Sequence, residues 1–164
     1  MDAWALLLKH AFSIPLANYC LVGRWLGHMP EGTFVHAKSP AVIDGAFETI
    51  VQKRAGAVLV ASDPMFLGQR DRLAALAAKY TLPIVAWTRE FASAGLLLSY
   101  GTSIAWMYRE AGVYAGRILK GSKPSELPIV QPTNFQLVVN LKTAKMLGIT
   151  VPQSLLLRAD EVIE

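Results

Sequence analysis

The sequence predicts an α/β fold: a parallel sheet covered by helices on both faces, in three layers. Short apolar runs alternate with segments of helical periodicity from residue 33 to residue 120. Where two of these runs end, a small polar residue followed by proline opens the next helix, at Ser39-Pro40 and at Asp63-Pro64. Such strand-to-helix alternation is typical of open parallel sheets, whose ligands bind outside the carboxyl ends of the strands.

The predicted elements follow one another in a regular order. Strands are predicted over residues 34–37, 57–61, 84–87 and 96–99, and helices over residues 40–53, 65–80, 88–95 and 103–120. The second strand is an unbroken apolar run, as expected of a strand that is buried on both faces. Tyr100-Gly101 is predicted to turn after the fourth strand, and Gly121 is a plausible left-handed terminator of the last helix.

The C-terminal part of the chain has a different pattern. Residues 127–133 contain two prolines and are predicted to be a linker or edge segment. Residues 134–139 alternate between apolar and polar, which predicts a half-exposed strand, and Asn140 is placed to cap a short helix closed by Gly148. The predicted boundaries are therefore residues 1–32, which we leave unassigned, residues 33–126 and residues 127–164.

Composition argues against several classes of protein. An apolar share of 53% with 17% charged residues excludes a disordered chain. The 16 basic residues are scattered without a cluster, so no nucleic-acid partner is predicted. The single cysteine, Cys20, and the three histidines (His10, His28 and His36) match no metal-binding pattern, so neither a metal nor a cofactor is predicted.

The N-terminal residues 1–26 are hydrophobic but interrupted. Lys9, Pro15 and Arg24 break the apolar run too often for a membrane-spanning helix. Asp2 stands where a secretory leader would carry basic residues, so no convincing signal peptide is indicated.

Parallel strands would bring three loops to one edge of the sheet. These loops contain the candidate ligand-binding residues Ser62, Asp63, Met65, Phe66, Trp87, Arg89, Glu90, Ser99 and Tyr100. The set suits a small ligand with both a carboxylate and an amine: Arg89 or helix N-termini would bind the carboxylate, and Asp63 or Glu90 the amine. The aromatic rings of Phe66, Trp87 and Tyr100 would supply stacking surface.

Each candidate also has a purely structural interpretation. Asp63 is fully explained as a helix cap, and Arg89 with Glu90 as a solvated ion pair. Phe66 and Trp87 are residue types more often found in cores than in ligand platforms. No nucleophile elbow, phosphate loop or dinucleotide fingerprint is present, and no histidine follows residue 36, so the chain is not predicted to be an enzyme.

Several motifs in order resemble one family. The matching stretches are residues 55–60, 63–64, 89–91, 94–95, 98–101, 118–121, 132–135, 140–144 and 158–163. From about Thr33 to the C-terminus the chain resembles bacterial ABC-transporter substrate-binding proteins of the tryptophan/tyrosine-type group.

This resemblance implies a type I periplasmic-binding-protein fold, with two lobes that close on a ligand. The chain would correspond to the second lobe, with the first lobe largely missing. Residues 33–126 would form the ligand-binding lobe, including a helix (residues 103–120) that packs towards the first lobe. Residues 127–164 would provide a hinge crossing and a C-terminal strand and helix.

The implied function is the substrate-binding component of an ABC importer, which binds a small organic solute such as an aromatic or other amino acid. The implied partners are ABC permease subunits, and the implied location is periplasmic or extracytoplasmic. A sensory or regulatory small-molecule-binding domain of the same fold is the alternative, and a small α/β enzyme is the least favoured. Homodimerisation through an exposed sheet edge stays open.

Overall fold

A computed structural model describes residues 19–24 and 31–164, and for residues 19–24 and 31–33 it describes the backbone only. Most of the unassigned segment 1–32, with His10, His28 and most of the hydrophobic residues 1–26, lies outside the described residues. The described strands are β1 (Tyr19–Arg24), β2 (Glu31–His36), β3 (Ala57–Val60), β4 (Ile84–Ala86), β5 (Leu98–Thr102), β6 (Phe135–Asn140) and β7 (Glu161–Ile163). They form one sheet in the order β2-β1-β3-β4-β5-β6-β7.

The central strands confirm the predicted parallel arrangement. β3, β4 and β5 are parallel neighbours, with Val58 opposite Ile84 and Val85 opposite Leu98. One strand was not predicted: β1 lies between β2 and β3 and is antiparallel to both. The strand β6 was predicted, but its antiparallel pairing with β5 was not. The carboxyl ends of β3, β4 and β5 and the amino end of β6 therefore lie at the same side of the sheet, which we call the carboxyl edge.

The helices fall between the strands largely as predicted. They are α1 (Ile43–Gln52), α2 (Pro64–Gly68), α3 (Arg70–Tyr80), α4 (Arg89–Ala94), α5 (Ile104–Leu119), α6 (Leu141–Met146) and α7 (Gln153–Leu156). The single helix predicted over residues 65–80 is in fact two helices. Gln69, with φ −110° and ψ 16°, leaves the helical conformation and separates α2 from α3.

Two clusters of buried side chains cover the sheet. Phe47 and Ile50 of α1 and Leu73 of α3 pack with Val58 and Val60, which share one face of β3 because they are two residues apart. The second cluster contains Leu98, Leu137, Val139 and Ala144, packed against partly buried side chains of α7. Adjacent Val85 and Ala86 of β4 contact different clusters, so the clusters lie on opposite faces, and the three-layer prediction is confirmed.

The structure corrects two predicted strands. β5 includes Tyr100 and Gly101, which we had predicted to form a turn, because both pair with β6. β6 was predicted to be half-exposed, yet its residues 137–140 are all buried because helices cover both of its faces.

α5 stands apart from this packing. Ser103 caps it, and Gly121 follows it with a φ of +102°. The chain leaves the carboxyl edge at Thr102, forms α5 and returns at Phe135, which pairs with Thr102. No residue of α5 is buried. None of the helices in the described part of the chain is long and apolar enough to cross a membrane.

Candidate functional site

The β3–α2 loop is organised by its helix cap. Asp63 has an extended backbone, and its Oδ1 accepts a hydrogen bond of 2.7 Å from the backbone N–H of Met65. Ser62 is exposed at the start of the loop, whereas Met65 is half-buried against the first core cluster. Phe66 is only 2% exposed and belongs to that cluster. The loop therefore offers Ser62 and the carboxylate of Asp63 to a ligand, but not the ring of Phe66.

The β4–α4 loop holds the second group of candidates. The half-buried ring of Trp87 packs edge-to-face on Phe91, with 6.2 Å between the ring centroids. Its Nε1 is buried and has no hydrogen-bond partner in the described part of the chain. The Thr88 hydroxyl donates a hydrogen bond to Glu90 Oε2, which orients that carboxylate at the first turn of α4.

Arg89 forms its ion pair with Glu161 and not with the neighbouring Glu90 that the sequence suggests. Its Nε and Nη2 donate two hydrogen bonds of 2.6 Å to the carboxylate of Glu161, and its Nη1 donates to Ser93 Oγ. The hydrogen bonds from Arg89 and its charge lower the pKa of Glu161, and the hydrogen bonds to Glu161 and its charge raise the pKa of the Arg89 guanidinium. Glu161 begins β7, which lies on the opposite side of β4 from β3. Arg89 is thus directed away from the Asp63 loop and is not placed to share a ligand with it.

The end of β5 supplies an aromatic wall and a close backbone contact. Tyr100 stacks on Phe135, with ring centroids 5.6 Å apart and an interplanar angle of 19°. A Cβ atom on Gly101 would lie 1.9 Å from the carbonyl oxygen of Trp87, so only glycine lets β5 approach the end of β4 this closely.

Ser99 does not face this wall. It pairs with Ala86 and Val138, on the face of β5 opposite to Tyr100, and is fully buried. Its Oγ has no hydrogen-bond partner among the described residues.

The predicted site residues therefore fall into two groups. Asp63 and Trp87 lie in loops at the carboxyl edge, and Tyr100 lies in β5 two residues before its end at that edge. Arg89, Phe66 and Ser99 have side chains engaged or buried elsewhere. Sequence reasoning missed Phe135 and the role of Gly101, because both depend on β6 being the antiparallel neighbour of β5. A run of 32 residues between Thr102 and Phe135 gives no sequence signal for that pairing.

Two other kinds of site were considered among the described residues, a metal centre and a cavity. No group of three or more His, Cys, Asp or Glu side chains is close enough to hold a metal ion in the part of the chain that the structure describes. A small cavity at the amino end of β5 is lined only by aliphatic side chains, which cannot orient a polar ligand.

Comparison with known proteins identifies the family. The family model described as ABC transporter substrate binding protein matches residues 35–163. This chain belongs to that family. A second family model, described as a protein of unknown function (DUF2938), matches residues 1–61 and overlaps the first. The search of curated proteins gives no match.

Solved structures share the fold. A conserved domain protein from Vibrio cholerae O1 biovar El Tor superposes with a TM-score of 0.71 at 23% identity, covering 77% of this chain and 42% of that one. The ABC domain from Streptococcus pneumonia in complex with L-Trp gives 0.71 at 25% identity, covering 79% and 44%. The ligand-free, open structure of CD0873, a substrate-binding protein with adhesive properties from Clostridium difficile, gives 0.53 at 19%, covering 77% and 42%.

The matched region is one part of a larger architecture in these relatives. This family member spans less than half the length of each of the three solved structures. The family is a substrate-binding and non-enzymatic one.

Proposed function

We propose that this chain provides the solute-binding lobe of an ABC importer's substrate-binding component, and that an amino acid binds at its carboxyl edge. One observation carries the proposal: Asp63 and Trp87 lie in the loops after β3 and β4, and Tyr100 lies near the same edge in the neighbouring strand β5, in a chain whose family binds transported substrates. Membership also supports ABC permease subunits as partners and an extracytoplasmic location.

Different side chains at the carboxyl edge suit the three parts of an amino-acid ligand. The carboxylate of Asp63 suits the amino group, because a charge-assisted hydrogen bond to an ammonium is about twice as strong as a neutral one. Trp87 Nε1 suits the carboxylate, since this buried donor has no partner among the described residues. The stacked pair of Tyr100 and Phe135 suits an apolar or aromatic side chain.

L-Trp is the first ligand to test. The streptococcal relative is in complex with L-Trp, and it has the same fold at 25% identity. In the proposed mechanism the ligand shifts an equilibrium between open and closed forms, and the permease binds the closed form. The open, ligand-free structure of the Clostridium difficile relative supports an open state for this family.

Thermal-shift and calorimetric titrations test the proposal. We expect L-Trp, L-Tyr or L-Phe to raise the melting temperature saturably, by an amount equivalent to about 2.7 kcal/mol at a hundredfold excess over Kd. Tryptamine lacks the carboxylate and indole-3-propionate lacks the amine, so both should bind more weakly than L-Trp. Failure of all amino acids to stabilise the chain at millimolar concentration contradicts the proposal.

Asp63→Ser separates the two roles of Asp63. Serine retains a capping oxygen for α2 but removes the charge, so stability should change little while amino-acid binding is lost. Asp71→Ser is the matched control, because Asp71 is exposed in the first turn of α3 and lies outside the three loops. Equal loss of binding in both variants would argue against a ligand contact at Asp63.

A further inference from the structure

Gly101 is a glycine inside a strand, where this residue type usually weakens the sheet. It lies in β5, pairs with Gln136 of β6 and does not have a positive φ, so neither a turn nor a left-handed backbone explains it. The explanation is space: an added Cβ atom would lie 1.9 Å from the carbonyl oxygen of Trp87 and 3.0 Å from its carbonyl carbon. Glycine within a strand often marks such a close approach of another backbone.

The residue that Gly101 contacts is held on a second side as well. The ring of Trp87 packs edge-to-face on Phe91, which is fully buried and leaves the indole little room to move towards the core. Between these two contacts, Trp87 Nε1 is buried and has no hydrogen-bond partner in the described part of the chain. Leaving a buried donor without an acceptor costs free energy, and an acceptor on a bound ligand removes that cost.

We propose that Gly101 is a positioning residue that makes the carboxyl edge selective for ligands with a carboxylate. The inference rests on the proposed function, in which Trp87 Nε1 donates to the carboxylate of the ligand. Gly101 acts through Trp87: it lets the end of β4 lie against β5 and thereby fixes where the indole donor stands.

The size of the displacement supports this role. Because Cβ contacts shorter than about 3.0 Å essentially do not occur, a side chain at position 101 must push the Trp87 carbonyl away by about 1 Å. The carbonyl and the indole are attached to the same Cα atom, so the ring shifts with the backbone. A hydrogen bond of about 2.9 Å that is lengthened by this amount is lost.

The part of the site that suits an amino group does not depend on Gly101. Asp63 lies in a different loop, and its own hydrogen bond from Met65 N holds it in place. A change at Gly101 should therefore affect recognition of the carboxylate and spare recognition of the amine. This separation distinguishes a positioning residue from one that only stabilises the fold.

Calorimetric titration of Gly101→Ala with three ligands tests the proposal. The ligands are L-Trp, indole-3-propionate, which has the carboxylate without the amine, and tryptamine, which has the amine without the carboxylate. A hydrogen bond to a charged group is worth roughly ten- to hundredfold in affinity. We expect L-Trp and indole-3-propionate to bind more weakly than to the unmodified chain by about this factor, and tryptamine to bind as before.

Gly95→Ala is the matched control. Gly95 has a φ of +115°, so alanine is strained there and should lower the melting temperature. Gly95 lies at the end of α4 opposite to Trp87, and the control should therefore keep the ratio of the L-Trp and tryptamine affinities.

Trp87→Phe tests the same link from its other side. It retains a ring and the backbone carbonyl but lacks Nε1, so it should reproduce the selective loss of the two carboxylate ligands. In this background, Gly101→Ala should weaken their binding no further.

Hydrogen exchange of the unmodified chain gives a test that does not require Gly101→Ala to fold. A ligand held by Trp87 Nε1 also holds the contact between Trp87 and Gly101. L-Trp and indole-3-propionate should therefore slow exchange of the backbone amides at these two residues, and tryptamine should not.

The results that overturn the proposal differ from those that overturn the proposed function. If the unmodified chain binds none of the three ligands, both fail. If it binds L-Trp but Gly101→Ala weakens all three ligands equally, or none of them, only the role of Gly101 is wrong. Trp87→Phe with unchanged carboxylate selectivity, or equal slowing of exchange by all three ligands, likewise overturns this inference and leaves amino-acid binding in place.

Discussion

α4 precedes β5 and α5 follows it. The shorter helix, α4, is partly buried, whereas the longer one, α5, is not. α4 has six residues, and its Phe91 and Ala92 are fully buried. α5 has sixteen residues, a side-chain cap and apolar residues at helical spacing, yet none of its residues is buried in the described part of the chain. α4 connects the parallel strands β4 and β5, so it must cross back over the face of the sheet. α5 connects antiparallel strands and needs no such crossing.

Side-chain hydrogen bonds strengthen this difference. Asn140 Nδ2 donates to the carbonyl of Ala92, and Thr143 Oγ1 donates to that of Gly95, both at 2.9 Å. These contacts attach α4 to a segment almost fifty residues further along the chain. No side-chain hydrogen bond of α5 reaches the sheet in the described residues; Tyr114 donates only to the carbonyl of Pro128 in the following linker. Topology and long-range contacts therefore decide burial here, whereas helix length does not.

The largest contrast is expected from one aromatic residue in each helix. Phe91→Ala should lower the free energy of unfolding by about 3–5 kcal/mol, because it opens a cavity in a fully buried site. Tyr108→Ala, measured by urea denaturation in dilute, monomeric protein, should change it by no more than about 0.5 kcal/mol. Similar losses in the two variants would mean that α5 packs within its own chain.

Capping residues should give the next largest difference. Asn140 caps α6, because its Oδ1 accepts a hydrogen bond of 2.9 Å from the backbone N–H of Thr143. Asn140→Ala removes this cap and also leaves the Ala92 carbonyl without its side-chain donor. We expect a loss of about 2–4 kcal/mol in urea unfolding. Ser103→Ala at the start of α5 removes one hydrogen bond of 3.4 Å and should cost at most about 1 kcal/mol. An equal cost would show that the Ala92 contact contributes nothing.

The same substitution at two glycines should have effects of opposite sign. Gly101→Ala forces a Cβ atom to within 1.9 Å of the Trp87 carbonyl oxygen and should destabilise the chain by about 1–3 kcal/mol. Gly116→Ala in α5 meets no atom within 4 Å and should stabilise by up to about 1 kcal/mol through helix propensity. Melting temperatures will distinguish the two variants. A lower melting temperature for both would contradict the absence of neighbouring atoms around Gly116.

The ion pair between α4 and β7 should give the smallest effect. Arg89 lowers the pKa of Glu161, so the ion pair stabilises the fold at pH values above the ordinary pKa of a glutamate carboxyl group. This stabilisation is lost as the pH falls through the lowered pKa of Glu161. Both side chains are more than one third exposed, so the contribution should be below about 1 kcal/mol.

Urea unfolding at pH 7 and pH 3 measures that contribution. Glu161→Gln should lose stability at pH 7 and little at pH 3. Arg89 stays protonated throughout this range, because its raised pKa affects stability only in strong alkali. Glu126→Gln, whose partner Lys123 is 3.7 Å away in the exposed segment after α5, is the matched control and should show no such pH dependence.

The sequence predicted correctly those features that depend on interactions between residues close together in the chain. The caps at Asp63 and Asn140 could be predicted because each side-chain oxygen accepts a hydrogen bond from a backbone N–H two or three residues ahead. The partner of Arg89 was missed because Glu161 lies 72 residues away. Ser99 was assigned to the site because a loop position was expected, whereas strand pairing puts it on the buried face.

The sequence by itself determined the α/β class, the parallel pairing of the central strands and the loops that reach the carboxyl edge. These features follow from hydrophobic periodicity and capping, which act over a few residues. Only the tertiary structure decided that Tyr100 stacks on Phe135, that Arg89 binds Glu161 and that no residue of α5 is buried in the described part of the chain. Each of these depends on which distant strand lies next to which, and that choice belongs to the sheet as a whole.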